Sequence, residues 1–162
     1  MQNTAYCDSS FGIFKITGDK VGIQSIQLTA KKTLPEQVVP PSLRLAVRQL
    51  TEYFNGHRKT FDLKLNFGEA STFHRAVWTE LMTIPYGHTT SYSAIATTLG
   101  DSNKMRAVGQ ANRNNPIPIV VPCHRVIAKN GNLQGYYYGV DMKRKLLKLE
   151  NPMSFASQGS LF

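Results

Sequence analysis

The 162-residue sequence lacks most features that mark secreted, membrane-spanning or metal-binding proteins. Its two cysteines, Cys7 and Cys123, lie far apart and form no C-x-x-C pair, which provides neither a disulfide framework nor a recognisable zinc site. No apolar run approaches the roughly 20 residues of a membrane helix. The N-terminus shows no charged segment followed by an apolar one, as a signal peptide would. We therefore expect a soluble, cytoplasmic protein with reduced cysteines and no metal.

Acidic side chains are also scarce. The chain has 10 Asp and Glu against 19 Lys and Arg, a formal net charge of +9. Residues 71–150 hold ten basic against four acidic side chains, whereas residues 1–70 hold nine against six. A basic surplus of this kind favours an anionic partner. A generally basic, well-solvated surface would give the same composition.

Hydrophobic patterning predicts an α+β protein with two small domains and a tail. Residues 1–70 alternate in a way that predicts strands at 11–16, 21–28 and 61–65, with a helix at 42–54 between the last two. Residues 71–150 have helical spacing, which predicts helices at 71–83, 92–99, 103–114 and 141–149. Residues 151–162 are expected to form a flexible tail.

The helices predicted at 92–99 and 103–114 are separated by a tight turn at Gly100, an arrangement typical of a helix-turn-helix. The second of them carries small side chains at Ala107, Gly109 and Ala111. Small residues allow tight packing against the first helix. They also let a helix backbone approach a narrow groove closely.

Cys123 stands beside His124 and follows the apolar run Ile119-Val120-Val121 and a proline. Apolar runs usually lie in a core, so this thiol is expected to be buried and fixed in place. A thiol is nucleophilic only as thiolate, and a free one has a pKa of about 8.5. A neighbouring histidine can remove its proton directly or through a water. Taken alone, a Cys-His pair favours an inert buried thiol beside a chance histidine, because such thiols are common.

Three motifs surround this pair in register: R-A-V-G-x-A at 106–111, N-P-x-P-I at 115–119 and P-C-H-R-V at 122–126. Together they are far more specific than any one of them. The segment closely resembles the active-site region of the O6-alkylguanine-DNA alkyltransferases, strongly from Phe73 to Glu150 and weakly before. The resemblance implies an RNase H-like N-terminal domain followed by a winged helix-turn-helix-type domain that holds both the DNA-binding surface and the active site.

The chemistry implied by the resemblance is direct-reversal DNA repair. Cys123 would attack the alkyl carbon on O6 of a flipped guanine and keep the group, so each molecule would react once and need no cofactor. His124 would accept the thiol proton through a water, and Glu150 would orient the imidazole. Asn115 would brace the turn before Cys123.

The resemblance also implies how double-stranded DNA containing O6-alkylguanine is bound. The second helix of the helix-turn-helix would enter the minor groove, where little sequence information is available. Arg106 would fill the space of the extruded nucleotide or contact a phosphate, while Ala107, Gly109 and Arg113 would contact the DNA. Tyr92 would assist rotation of the nucleotide and donate a proton to N3 of the departing guanine.

The expected alkyl pocket is lined by Tyr136, Tyr137, Tyr138 and Val126. Members of the family usually have small residues where Tyr137 and Tyr138 stand. Two bulky rings there predict a narrower pocket that prefers methyl to larger O6 groups, unless both rings point to solvent. Repair of O4-alkylthymine stays open.

Other classes of function fit the sequence less well. A non-catalytic lesion-binding relative would replace Cys123, commonly with Trp or Ala. A helix-turn-helix transcription factor would leave the P-C-H-R motif and Glu150 without a purpose. A cysteine hydrolase would need a hydrolase signature around its thiol, and none is recognisable.

The last five residues, Gln158-Gly159-Ser160-Leu161-Phe162, resemble the Q-x-x-L-F peptide that binds bacterial sliding clamps. Such short motifs also arise by chance. Nothing in the sequence requires a dimer, so a monomer is expected.

Overall fold

The structure, a computed structural model, describes residues 1–133 and 135–155. The chain divides into two compact units. The first is Met1–Glu69 together with Pro116–Pro118, and the second is Ala70–Asn115 with the chain from Ile119 onward. A sheet dominates the first unit and helices dominate the second, which confirms the predicted α+β class.

An antiparallel sheet with the order β1-β2-β3 forms the first unit. Its strands are β1 (Asn3–Ser9), β2 (Gly12–Gly18) and β3 (Ile23–Leu28). Alternate residues of β1, Ala5 and Cys7, are buried where helix α1 (Arg44–Phe54) packs against this strand. A 3-10 turn, Pro41–Leu43, leads into α1. Apolar residues of α1 recur at helical spacing, so they lie on one face of the helix, and that face is buried.

Two features of this unit differ from the sequence prediction. Strand β1 was not predicted, because its apolar alternation is short and interrupted by polar residues. The strand predicted at 61–65 is wrong: only Leu65 forms an isolated bridge, with Ile23. The side chain of Gln49 accepts from the Asp62 N–H at 2.9 Å and donates to its carbonyl at 3.3 Å. The backbone N–H and carbonyl of Asp62 are therefore not available for hydrogen bonds to a neighbouring strand.

Helices fill the second unit, and two of them begin at serine caps. The Ser71 hydroxyl accepts from the His74 N–H at 3.1 Å, and the Ser91 hydroxyl accepts from the Ala94 N–H at 3.1 Å. The helices are α2 (Thr72–Leu81), α3 (Tyr92–Thr98), α4 (Met105–Arg113), α5 (Val140–Glu150) and α6 (Pro152–Phe155). Helix α6 lies at the start of the segment predicted as a flexible tail.

The predicted helix-turn-helix consists of α3 and α4. The turn between them contains Gly100, at φ +97°, and a 3-10 turn at Ser102–Lys104. Val108 and Ala111 on α4 are buried, and the Trp78 indole donates to the Ala111 carbonyl at 2.8 Å. Ala111 therefore serves packing, whereas Ala107 and Gly109 remain partly exposed.

A short parallel pair, β4 (Thr90–Ser91) and β5 (Val126–Ile127), ties the start of α3 to the segment after Cys123. Strands of two residues have too little pattern to be predicted from sequence. Among the described helices, none is long and apolar enough to cross a membrane.

Candidate active site

Cys123 begins a 3-10 turn, Cys123–Arg125, and is only 4% exposed. The chain bends sharply before it, because Ile119 has φ 77°, a conformation that β-branched residues rarely adopt. Two amides hold this bend. Asn115 donates to the Val121 carbonyl at 2.7 Å, and Asn112 donates to the Cys123 carbonyl at 3.2 Å. The thiol is thus fixed by side chains that brace the backbone on both sides of it.

His124 and Arg125 meet Glu150, from the end of α5, in a buried network. The imidazole Nε2 lies 2.6 Å from Glu150 Oε2. The Arg125 guanidinium donates to both carboxylate oxygens, through Nε at 2.8 Å and Nη2 at 3.1 Å. Its Nη1 donates to the Ile84 carbonyl at 2.7 Å. Glu150 is therefore a fixed carboxylate that orients the histidine.

The partners of His124 determine its tautomer. An ionised carboxylate only accepts hydrogen bonds, so Nε2 carries the proton and Nδ1 keeps a lone pair. Within residues 1–133 and 135–155, nothing pairs with the buried Nδ1. Burial lowers the pKa of His124 and outweighs the opposing effect of Glu150. The imidazole is therefore neutral at physiological pH and can act as a base.

The thiol itself is protonated in the resting protein. Burial raises the pKa of Cys123 to about 11, although a hydrogen bond with Asn115 and the charge of Lys143 act in the opposite direction. Burial also raises the pKa of Glu150, but His124 and Arg125 outweigh it, so the pKa of this carboxyl lies below its ordinary value. The site thus combines an anionic orienting group, a neutral base and a thiol that must lose its proton to react.

Tyr92, the first residue of α3, connects this network to a surface groove. Burial raises the pKa of its phenol, and the charge of Cys123 adds to that effect. Gly135, at φ +101°, passes so close that a Cβ there would lie 3.0 Å from the Tyr92 hydroxyl. This position therefore requires glycine both for its backbone conformation and for the space it leaves.

The groove contains most of the residues predicted to bind DNA. Tyr92, Arg106, Gly109 and Arg113 all line it, whereas Cys123 does not. Lys129, which the sequence reading did not single out, adds a further cation. Ala107 lines a neighbouring pocket instead, together with Arg106 and Gln110.

The four predicted pocket residues take different positions. Tyr136 is buried, and burial raises its pKa well above the ordinary value, with a further contribution from Cys123. Tyr138 is half-buried, and its ring centroid lies 6.1 Å from that of Tyr136. Tyr137 is 66% exposed and packs edge-on against Tyr138 at 4.9 Å. Val126 is buried in β5. Of these four residues, Tyr136 thus interacts electrostatically with the thiol, as Tyr92 also does.

Sequence reasoning missed two charged residues in this region. Arg125 belongs to the P-C-H-R motif but was given no role. Lys143 shares one face of α5 with Leu146, Leu147 and Glu150, at the helical spacing of i, i+3, i+4 and i+7, and that spacing predicts a buried lysine. In the described ranges, no group of three or more His, Cys, Asp or Glu side chains is placed to hold a metal ion.

Fold and site together define a class: a helix-turn-helix protein with a basic groove and a buried cysteine beside an oriented histidine. The models of two domains of one family match the chain: 6-O-methylguanine DNA methyltransferase, ribonuclease-like domain, over residues 3–67, and 6-O-methylguanine DNA methyltransferase, DNA binding domain, over residues 72–152. The chain belongs to this family, whose members repair DNA by transferring an alkyl group to a cysteine of the protein itself.

Individual relatives are similar along nearly the whole chain. The methylated-DNA--protein-cysteine methyltransferase of Methanosarcina acetivorans is 44% identical, over 90% of this chain and 96% of the relative. That of Mycolicibacterium paratuberculosis is 42% identical, over 93% of each chain. The crystal structure of Mycobacterium tuberculosis O6-methylguanine methyltransferase superposes with a TM-score of 0.82 at 38% identity, covering 94% of both chains. The same protein has been solved in complex with DNA, with a TM-score of 0.82, 39% identity and 92% of both chains covered.

Proposed function

We propose that Cys123 is the alkyl acceptor and that the protein removes methyl groups from O6 of guanine in double-stranded DNA. The observation that carries this proposal is the buried His124-Glu150-Arg125 network directly after the thiol. Burying these charged groups costs free energy, and an inert thiol would provide no functional reason for that cost. It has the order of nucleophile, base and orienting carboxylate found in hydrolytic triads.

The first step is removal of the thiol proton. With its Nε2–H held by Glu150, His124 offers Nδ1 as the acceptor, reached through a water. The carboxylate stabilises the imidazolium that forms, and Arg125 prevents Glu150 from taking the proton itself. Asn115 positions the thiol through its hydrogen bond with Sγ and its brace on the preceding turn.

The second step is an in-line displacement. The thiolate forms an S–C bond with the alkyl carbon, the C–O6 bond breaks, and its electron pair remains on the guanine. Tyr92 donates a proton to N3, so that guanine leaves as a neutral base. Burial raises the pKa of the Tyr92 phenol, so the phenol stays protonated until negative charge develops on the guanine. The thioether product has no easy leaving group, so each molecule reacts once.

DNA binding follows from the groove beside Tyr92. Helix α4 presents Arg106, Gly109 and Arg113 to this groove, and small residues let its backbone approach the minor groove. The target nucleotide is flipped towards Tyr92 while Arg106 occupies its place in the stack. Ala107 contacts the DNA from the adjoining pocket. One chain supplies all these groups, so we infer that a monomer acts.

The alkyl pocket is proposed to be narrow. Tyr136 and Val126 are buried and Tyr138 is half-buried, so these three side chains would form its wall, whereas the exposure of Tyr137 keeps that ring from narrowing the pocket. We expect faster transfer from O6-methylguanine than from O6-benzylguanine, and Tyr138→Ala should narrow the difference. Comparable wild-type rates on both substrates would overturn this preference. O4-methylthymine, whose smaller ring places its alkyl group differently, should react more slowly.

The test of the main proposal is the intact mass of the protein after incubation with duplex DNA that carries one O6-methylguanine. We expect a gain of one methylene per molecule, absent with undamaged DNA and absent in Cys123→Ala. Selective binding of the lesion without any mass gain would instead assign the chain to the non-catalytic lesion-binding proteins.

A separate proposal concerns the C-terminal sequence Gln158–Phe162, which lies outside the described residues. Its Q-x-x-L-F pattern favours binding to a bacterial sliding clamp. Removal of these five residues should abolish clamp binding and leave methyl transfer to a free oligonucleotide unchanged. Equal clamp binding by the full and shortened chains would end this idea.

A further inference from the structure

Lys143 is a fully buried cation that the mechanism above does not use. It lies on α5, its side chain is 0% exposed, and its Nζ has no hydrogen-bond partner within the described part of the chain. Buried lysines are rare unless they are paired, because the ammonium loses its hydration. An unpaired one beside an active site therefore needs a physical reason.

The surroundings of Lys143 indicate which group could pair with it. Helix α5 packs against the Cys123–Arg125 turn, and Nζ lies 6.0 Å from the centre of the Tyr92 ring. Its charge acts on Cys123 and on His124. Glu150 shares the same helix face, but both of its oxygens are already engaged by His124 and Arg125. The anion that is left to pair with Lys143 is the thiolate that forms at Cys123.

We propose that Lys143 is a positioning residue that supplies the positive charge stabilising the Cys123 thiolate, and, through its place over the Tyr92 ring, the phenolate left after proton donation. This inference rests on the proposed function of Cys123. It differs from the roles of His124 and Glu150, because Lys143 exchanges no proton and makes no bond to the DNA.

The charge balance of the reaction supports this role. In the resting site Lys143 is the unmatched charge, since Glu150 is paired with Arg125 and both His124 and Cys123 are neutral. Transfer of the thiol proton to His124 Nδ1 creates a thiolate and an imidazolium held by Glu150, and the thiolate then faces the ammonium. When the S–C bond forms, the negative charge passes to the guanine, which Tyr92 neutralises. His124 returns its proton to the phenolate through solvent, so thiol and O6-methylguanine become thioether and guanine.

The ionisation of Lys143 is compatible with this role. Burial lowers its pKa to about 8, with the charge of Cys123 acting in the opposite direction. The amine is thus still roughly nine-tenths protonated at neutral pH. The same interaction lowers the pKa of the thiol against the larger effect of its burial.

The test compares Lys143→Met with Lys145→Met, which removes the same charge from an exposed position on the same helix. The rate at which iodoacetamide modifies Cys123 is measured without DNA over a pH series, by mass analysis of the Cys123 peptide. We expect Lys143→Met to move the profile to higher pH, with a rate about tenfold lower at neutral pH and the wild-type rate at alkaline pH, which corresponds to one pKa unit. Lys145→Met should have the pH profile of the wild type. Lys143→Arg, which keeps the positive charge, should show little of the shift.

Two results would overturn the proposal: a profile for Lys143→Met that coincides with the wild type, or a rate lowered equally at every pH, which indicates a structural role. If Lys143→Met does not fold, Lys143→Gln and Lys143→Arg are compared in its place. Because this assay contains no DNA, it is independent of the methyl-transfer assay. A failure of Cys123 to accept methyl from DNA would therefore be recognised separately.

Discussion

The protein contains two buried free cysteines whose surroundings differ. Cys7, on β1, is 1% exposed, and its Sγ lies 3.5 Å from the Thr51 hydroxyl. Burial raises its pKa, and the neighbouring Asp8 adds to that effect. Cys123 is equally buried, but its surroundings supply a neutral base and a cation. Burial thus raises the pKa of both thiols; the Thr51 hydroxyl opposes this effect at Cys7, whereas Cys123 has a cation and a neighbouring base.

The largest effect is expected from removing the base. His124→Ala should lower the rate of methyl transfer at neutral pH by about 10²- to 10³-fold, because general-base help is lost and the thiol remains protonated. The rate should recover partly at alkaline pH, where thiolate forms without a base. Single-turnover transfer from an O6-methylguanine duplex measures this, with the exposed His57→Ala as control. Equal rates for His124→Ala and the wild type would remove His124 from the mechanism.

The next comparison is between a buried ion pair and a partly exposed one. Arg125→Met removes the guanidinium that pairs with the buried Glu150 carboxylate, and the free energy of unfolding should fall by roughly 3–5 kcal/mol. Arg58→Met breaks the Arg58–Glu52 pair of the first unit, which is partly accessible to water, and should cost about 0–1 kcal/mol. Urea unfolding followed by circular dichroism gives both values. Similar losses for the two variants would contradict the buried network.

A smaller effect is expected from crowding Tyr92. Gly135→Ala places a Cβ about 3 Å from the Tyr92 hydroxyl and should lower the transfer rate about tenfold by displacing the proton donor. Gly100→Ala suffers the same kind of backbone strain, at φ +97°, but its Cβ would meet nothing within 4 Å. Both variants should lose stability, and only Gly135→Ala should lose rate. A matching loss of rate in Gly100→Ala would show that strain alone is responsible.

The smallest effect concerns pH and stability. The folded pKa of His124 lies below its unfolded value of about 6.5, so only the unfolded chain takes up that proton, and stability should fall as pH drops below about 6.5. The pKa of Glu150 is also lowered by folding, so its contribution is present above about 4.3 and is lost below that value. Fluorescence of Trp78, the single tryptophan, follows unfolding. In His124→Gln, stability should depend less on pH near 6.5 than in the wild type. The same pH dependence in both proteins would contradict a lowered pKa for His124.

The sequence predicted those parts of the site that local motifs define. Cys123, His124 and Asn115 lie within ten residues, and the Ser71 cap at the start of α2 is visible in the sequence. Glu150 was predicted only through the family resemblance, since its hydrogen bond to His124 spans 26 positions.

The parts that were missed depend on contacts between distant residues. The bond from Arg125 to Glu150 spans 25 positions, and the place of Lys143 depends on how α5 packs against the Cys123 turn. The strand predicted at 61–65 failed because the Gln49 side chain takes the hydrogen bonds of Asp62. A local pattern carries no information on such partners.

The most direct test of the account is to locate the methyl group after transfer. The protein is reacted with one equivalent of O6-methylguanine duplex and digested, and the peptides that contain Cys7 and Cys123 are compared by mass. We predict that the methyl group lies entirely on Cys123 and that the Cys7 peptide is unmodified. Methyl on Cys7, or on neither cysteine while the guanine is repaired, would contradict the account.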